Sequence, residues 1–192
     1  VKKPNPLLID LDGVLLDFIG PLCDLLNAPE VLEARWPGGL RTPSQFQNYG
    51  MEETLSPHEM KLFHQWMDDG TLAKARRWYP GSRSFLAHVQ KTAPVVILTA
   101  GGPNDWNKQT KHLIALSSKS LELRFSAPDK KSDVEGLTLI EDRPDTATAW
   151  ALSQKRFAIL IDRPWNRTAA VGPRVLRAKD YAEVRLLLEG LR

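Results

Sequence analysis

A single cysteine, Cys23, stands in the 192 residues, so no internal disulfide can form and every C-x-x-C metal or redox arrangement is excluded. No window approaches the roughly 18–20 uninterrupted apolar residues of a membrane-spanning helix. Asp10, Asp12 and Asp17 interrupt the most apolar N-terminal stretch. The same charges argue against a secretory signal peptide, so a reducing cytoplasm is the expected setting and no membrane partner is expected. Repeats and low-complexity tracts are missing too, which excludes solenoid and collagen-like architectures. Net charge is small, 26 basic against 23 acidic residues for +3, a weak pull toward phosphate-bearing ligands. Between Arg163 and Arg192 seven basic residues face three acidic ones, but they are scattered through an amphipathic pattern. That pattern reads as a solvated helix face, and no stable nucleic-acid binding is expected.

What is present suits one folded domain with a modest insertion. Hydrophobic residues make up 42% and charged residues 26%, enough apolar surface to close a core. Four short apolar runs, Leu7–Leu11, Val95–Leu98, Leu137–Ile140 and Phe157–Ile161, predict buried strands. A fifth is expected near Arg124–Ser126 and a sixth at Arg174–Leu176. Helical patterns at Ser82–Lys91, Asp105–Leu116, Thr146–Gln154 and Tyr181–Leu191 alternate with them. The alternation predicts an α/β fold, a Rossmann-like parallel sheet flanked by helices. From Asp17 to Tyr79 no buried parallel strand is evident, and Pro80-Gly81 closes the interval. The expected organisation is therefore a core of residues 1–16 and 80–192 with a small helical cap, residues 17–79, inserted after the first strand.

The first apolar run ends in Asp10-Leu11-Asp12-Gly13-Val14. Two carboxylates two residues apart at the end of a strand need a proton or a cation to coexist, and a hard divalent ion with oxygen ligands meets that need. The C-terminal edge of a parallel sheet is also where such folds hold ligands. A polar turn ending the strand is the bland alternative. The second run leads through Thr99-Ala100-Gly101-Gly102 toward a helix, which reads equally as a phosphate cradle or as a turn and cap. Lys130-Lys131 precedes the third run. A lysine there can offset phosphate charge and keep a nucleophile ionised, whereas an isolated pair would be a solvated loop. That run ends in Glu141-Asp142-Arg143-Pro144-Asp145, again acids after an apolar strand.

Taken in order, Asp10-Leu11-Asp12-Gly13-Val14, Thr99, Lys131 and Glu141-Asp142 resemble the motifs of the haloacid dehalogenase-like (HAD) hydrolases. Within that superfamily the chain looks most like the 5'(3')-deoxyribonucleotidases. The resemblance extends from Asp10 to Phe18, through the Trp66 region to Pro80-Gly81, across Leu139 to Asp145, and through Asp162-Arg163-Pro164-Trp165-Asn166-Arg167. It implies a HAD-like core and a phosphatase whose Asp10 is the nucleophile and whose Asp12 is the general acid and base. It also implies Mg²⁺ held by Asp10, the backbone carbonyl of Asp12 and Asp142, with Thr99, Ala100 and Lys131 on the phosphate and Glu141 and Asp145 supporting the metal loop. Glu141 stands where the family commonly has an Asp, which leaves open which acid touches the metal, and Ala100 replaces a common second hydroxyl.

The implied substrate is a small phosphomonoester, foremost a nucleoside monophosphate. Phe18, Trp66 and Trp78 are expected near the cleft between insertion and core, where each stacked base would contribute about 1–3 kcal/mol. Trp36, Phe46 and Tyr49 are lesser candidates, and packing among the insertion's own helices is the alternative for all of them. Competing functions are a HAD phosphatase for a sugar phosphate or other small phosphomonoester, and a non-catalytic nucleic-acid or protein-binding module on the same fold. The preferred base or sugar, 5' against 3' phosphate, and the oligomeric state, homodimer included, stay open. His58, His64, His88 and His112 have no metal-site spacing, and Asp68-Asp69-Gly70 lacks the alternating ligands of a calcium loop.

Overall fold

A computed structural model describes residues 5–33, 39–48, 50–117 and 121–191. At its centre is a six-stranded sheet of β1 (Leu7–Ile9), β4 (Val95–Thr99), β5 (Glu122–Phe125), β6 (Thr138–Glu141), β7 (Ala158–Ile161) and β8 (Val175–Ala178). Their spatial order is β5-β4-β1-β6-β7-β8 and every pairing is parallel. The expected α/β class is thus present, with β1 between β4 and β6.

Parallel strands run as apolar blocks because both faces are covered. Leu7, Ile9, Val95, Ile97, Ile140, Ile159 and Ile161 point to one side, against α5 (Ser82–Val89), α6 (Asn104–Ser117) and α8 (Tyr181–Gly190). Leu8, Val96, Leu98, Leu139, Ala158 and Leu160 point to the other, against Ala147, Trp150 and Ala151 of α7 (Pro144–Gln154). The period of two assigns each residue to its layer. Pro144 at the first turn of α7 fits a position whose N–H would have no partner, and Asp180 caps α8 by accepting from the amides of Ala182 and Glu183.

Between β1 and α5 the chain makes a two-residue ribbon, β2 (Leu16–Asp17) antiparallel to β3 (Arg77–Trp78), that closes off helices α1 (Ile19–Leu26), α2 (Pro29–Glu33), α3 (Pro57–Asp68) and α4 (Thr71–Ala75). These helices share their own apolar cluster, in which Phe18, Leu22, Leu26, Phe46, Leu55 and Leu72 pack together with Trp106 and Trp165 from outside the insertion. Ser56 and Glu59 cap α3 reciprocally, and Arg41 donates two bonds to the buried Glu59. That pair and the cap hold the Glu59 carboxyl down to about 2 against the desolvation that would raise it. No helix among the described residues is long and apolar enough to cross a membrane.

Candidate active site

Asp10 follows β1 directly, and Glu141 and Asp142 lie at the end of the adjacent β6. Adjacent parallel strands bring their C-terminal ends side by side, so residues 131 or more apart in sequence meet. Carboxylate oxygens of Asp10, Glu141 and Asp142 lie within 4.8 Å of one another, all buried. Lys131, 2% exposed, reaches in from the turn Pro128–Asp133, its Nζ 2.9 Å from Asp10 Oδ1 and 2.9 Å from Glu141 Oε2. Three buried carboxylates against one ammonium leave an excess of negative charge, which only protons or a cation can relieve.

The two loops touch because residue 13 is glycine. Gly13 has φ +83°, a conformation that disfavours side chains, and a Cβ there would overlap the Asp142 carboxylate. Arg163, from the loop after β7, donates to the carbonyls of Gly13 and Val14, and the Tyr181 hydroxyl donates to Val14. Asp142 is held just as closely. Trp165 Nε1 donates to its Oδ2 at 2.8 Å, and Asn166 Nδ2 bridges the carbonyls of Asp142 and Ile161 at 2.7 and 2.9 Å.

Glu141 is fully engaged, with Oε2 on Lys131 and Oε1 accepting the amides of Asp142 and Arg143. Asp142 Oδ1 is different. It is buried and has no hydrogen-bond donor, while Asp10 Oδ1 has the Lys131 charge beside it but no well-directed bond. Desolvation, reinforced by the Asp10 charge, pushes the Asp142 carboxyl up to about 7. Desolvation and the neighbouring Glu141 likewise raise Asp10 well above the carboxylate range, and Glu141 is raised by burial. Burial alone would pull Lys131 down, but the two carboxylates override it and hold its ammonium firmly charged. Oxygen donors of this kind, with an unmet acceptor, suit a hard divalent cation.

A cleft of about 210 Å³ opens onto the cluster, walled by Asp10, Asp12, Thr99, Ala100, Gly101 and Lys131 on one side. Phe18, Met51, Phe63, Met67, Trp106 and Pro128 form an apolar wall, and Arg143 stands at its polar end. Of the residues singled out in the sequence, Asp10, Asp12, Phe18, Thr99, Ala100 and Lys131 line this cleft, Glu141 and Asp142 join it only through the buried cluster they form with Asp10, and Asp145 is exposed and pairs with Arg143. Asp12 turns its carboxylate to Arg76 rather than to the acidic cluster. Trp66 packs within the insertion's apolar cluster and Trp78 sits on β3 against the core, under Arg83. Neither lines the cleft among the described residues. Phe46 is buried in the insertion, and Trp36 and Tyr49 lie outside the described residues.

Sequence reasoning passed over Arg76, Trp106, Trp165, Asn166, Met51, Phe63 and Met67. The Trp165-Asn166 pair stood inside a stretch of family resemblance, but nothing local showed that it would reach Asp142. Replacing Trp165 with Phe keeps the ring and removes the donor. If the acidic cluster holds a divalent cation, the expected result is a roughly 10–100-fold weaker affinity for it, read from the metal dependence of the melting temperature; an unchanged dependence would show the bond to be idle.

No sequence-family profile matches the chain. No curated protein matches it either. Among solved structures, a HAD family hydrolase of Deinococcus radiodurans R1, with bound phosphate and sodium, superposes with TM-score 0.63 at 17% identity over 98% of this chain and 96% of that one. The chain has the HAD-like hydrolase fold. A Lactobacillus delbrueckii protein assigned as a phosphoglycolate phosphatase gives TM-score 0.61 at 13% identity over 97% and 99% of the two chains. A HAD-type protein of Bacillus subtilis bound to magnesium gives 0.57 at 15% over 97% and 99%. Identities this low carry the fold, while activity has to come from the residues in the cleft.

Proposed function

We propose that this chain is a Mg²⁺-dependent phosphatase for small phosphomonoesters, with residues 17–79 as its cap, and that a nucleoside monophosphate is its substrate, as in a 5'(3')-deoxyribonucleotidase. The observation that carries the reading is the meeting of Asp10 and Asp142 in one buried acidic cluster, beside Lys131 and at the floor of an apolar-walled cleft.

In this reading Asp10 attacks phosphorus through a carboxylate oxygen as the phosphorus–oxygen bond to the leaving group breaks. Asp12, on the same cleft, gives the leaving oxygen its proton. Water then attacks the aspartyl phosphate, its proton passing to Asp12 while the bond between Asp10 and phosphorus breaks, which restores both residues. Thr99, Ala100 and Lys131 hold the phosphoryl oxygens and offset their charge. Asp10 and Asp142 would hold the Mg²⁺, which supplies electrostatic stabilisation of the phosphoryl group when bound. Asp142 is preferred to Glu141 because its Oδ1 has no other partner. Phe18, Met51, Phe63, Met67 and Trp106 favour a flat, apolar leaving group such as a nucleoside.

A second reading keeps the chemistry and takes a sugar phosphate or another small phosphomonoester. It is supported by the name of the Lactobacillus delbrueckii neighbour and by the positions of Trp66 and Trp78 away from the cleft. Phosphate release from 5'- and 3'-deoxynucleotides, sugar phosphates and phosphoglycolate, with and without chelator, separates the two. Turnover confined to the nucleotides supports the first, and turnover confined to the others the second. Equal rates with and without metal, or salt-sensitive oligonucleotide binding with no phosphate release, would overturn both.

A metal dependence of stability follows from the buried acids. Asp142 binds its proton more tightly folded, near 7, than at its ordinary 3.8. Its contribution to metal-free stability is full at low pH and is lost as pH rises through about 7. Mg²⁺ has to displace that proton, so its stabilisation grows over the same range. At pH 8 and 100-fold excess over its dissociation constant it is expected to add about 2.7 kcal/mol, roughly 5–10 °C in melting temperature. At pH 5 the gain should be nearly absent; equal gains at both pH values would contradict the ligand assignment.

A further inference from the structure

We propose that Arg76 is the positioning residue for Asp12, and that through it the 17–79 insertion sets the geometry of proton transfer. The inference rests on the phosphatase reading above. Arg76 is the residue that ends α4, one position before β3. Its Nη1 donates to both Asp12 oxygens at 2.9 and 3.0 Å. The rest of the guanidinium is equally committed, Nε to the Ala73 carbonyl at 3.2 Å and Nη2 to Thr110 Oγ1 at 2.7 Å. Its guanidinium carbon lies over the Trp106 ring, 4.0 Å from the ring centre, and Thr110 in turn donates to the Trp106 carbonyl.

Exposure separates this pair from an ordinary surface ion pair. The Arg76 side chain is 0% exposed and that of Asp12 16%. A buried guanidinium gives up its hydration and needs close partners in return, whereas exposed pairs contribute little. Here the cation is sunk behind the wall of the cleft while the carboxylate forms part of the wall itself, alongside Trp106. That arrangement fixes both oxygens of Asp12 from the Arg76 side while Asp12 still lines the cleft. Neighbouring Arg77 provides the contrast. Its side chain is 57% exposed and pairs with Asp17 and Asp24 at the surface.

Three elements thus converge on one side chain: α4 through Ala73, α6 through Thr110 and Trp106, and the loop after β1 through Asp12. Once Asp12 has given its proton to the leaving oxygen it is a carboxylate, the form that pairs with Arg76, and taking a proton from water loosens that pair again. Arg76 itself exchanges no proton. Its part is to fix where the carboxylate stands.

The test is a double-mutant cycle on p-nitrophenyl phosphate, an alkyl phosphomonoester and acetyl phosphate, with far-UV circular dichroism and thermal melts as fold checks. Arg76→Met is expected to lower kcat on the alkyl ester about 10²–10³-fold, the range of a lost proton transfer, with KM within about threefold. In the Asp12→Asn background the same change should cost less than about threefold, because two residues acting as a unit are not additive. Acetyl phosphate, whose leaving group needs no proton, should still phosphorylate Asp10 in Arg76→Met, so acid-stable, hydroxylamine-labile phosphoenzyme accumulates as its hydrolysis slows. Arg76→Lys should recover part of the loss, and Arg77→Met should leave kcat unchanged.

Equal losses from Arg76→Met with and without Asp12 would overturn the inference while leaving the phosphatase reading intact. Should Arg76→Met fail to fold, Thr110→Val removes the acceptor of Nη2, together with the hydroxyl's bond to the Trp106 carbonyl, and leaves Arg76 in place. A loss that disappears in Asp12→Asn would support the inference, and an additive loss or none would overturn it. Wild-type protein that neither turns over nor forms phosphoenzyme removes the phosphatase reading, and the role of Arg76 with it.

Discussion

Asp10→Asn is expected to lower phosphate release by roughly 10⁴–10⁶-fold, the loss seen when the attacking group of a covalent mechanism is removed. An amide oxygen is a poor nucleophile, and among the described residues Asp10 is the carboxylate of the acidic cluster that also lines the cleft beside Lys131. The fold should survive. Burial and the charge of Glu141 raise the Asp10 carboxyl in the metal-free protein, so a neutral amide of the same shape removes a charge that is costly to bury, and the melting temperature at pH 8 with chelator is expected to be no lower than wild type. Phosphate release and a melt on the same preparation check both halves. A fully active Asp10→Asn would refute the nucleophile assignment, and an unfolded one would show that the carboxylate serves the fold.

Lys131→Met is expected to damage both stability and activity. It takes away the one ammonium that, among the described residues, pairs with Asp10 and Glu141, and breaking a buried ion pair from one side costs about 3–5 kcal/mol. In a chain of this size that lowers the melting temperature by roughly 6–20 °C. The loss should be largest at pH 8 with chelator present, where the stranded carboxylates are most ionised. It should shrink toward pH 5 as those raised carboxyls take up protons. Added Mg²⁺ should return part of it, because a divalent cation can replace one ammonium in the balance of charge. Activity should fall about 10²–10³-fold even in the refolded, metal-loaded protein, the usual effect of losing one oxyanion donor. A melting temperature insensitive to pH would mean that Lys131 is not the counter-charge of the cluster.

The sheet was legible wherever both faces of a strand are buried. Leu7–Ile9, Val95–Thr99, Thr138–Glu141 and Ala158–Ile161 read as apolar blocks because neither face meets water. The edge strands were blurred. Glu122 and Arg124 of β5 are exposed and β8 is half-buried in its middle, so charge breaks the run and the expected limits shifted by one or two residues. In the insertion only the absence of such blocks was readable, and the short β2–β3 ribbon that closes it carries no pattern long enough to see.

The acids were legible for a related reason: a carboxylate placed after an apolar strand is costly and so stands out. Their supports were not. Arg76 and Arg77 are identical as letters, yet one is sealed in and the other lies at the surface. On α3 the sequence drew attention to Trp66, while the cleft takes Phe63 and Met67, which are four apart and share a face. Trp66 lies about 100° round the helix from Met67 and turns into the insertion's interior. Size of side chain was a poor guide where helix phase decided.

The central place of β1 has a consequence for how the chain is made. Leu7–Ile9 leaves the ribosome well before its partners, which arrive with Val95–Thr99 and Thr138–Glu141. At ordinary synthesis rates the wait is on the order of 10 s, with a greasy segment unpaired throughout. Such long-range pairing is slow to form and prone to aggregation meanwhile. Any nascent or truncated chain that stops short of Glu141 therefore lacks two of the three acids of the buried cluster along with the neighbour that shelters β1, so the cluster and the flank of β1 are completed in the same event.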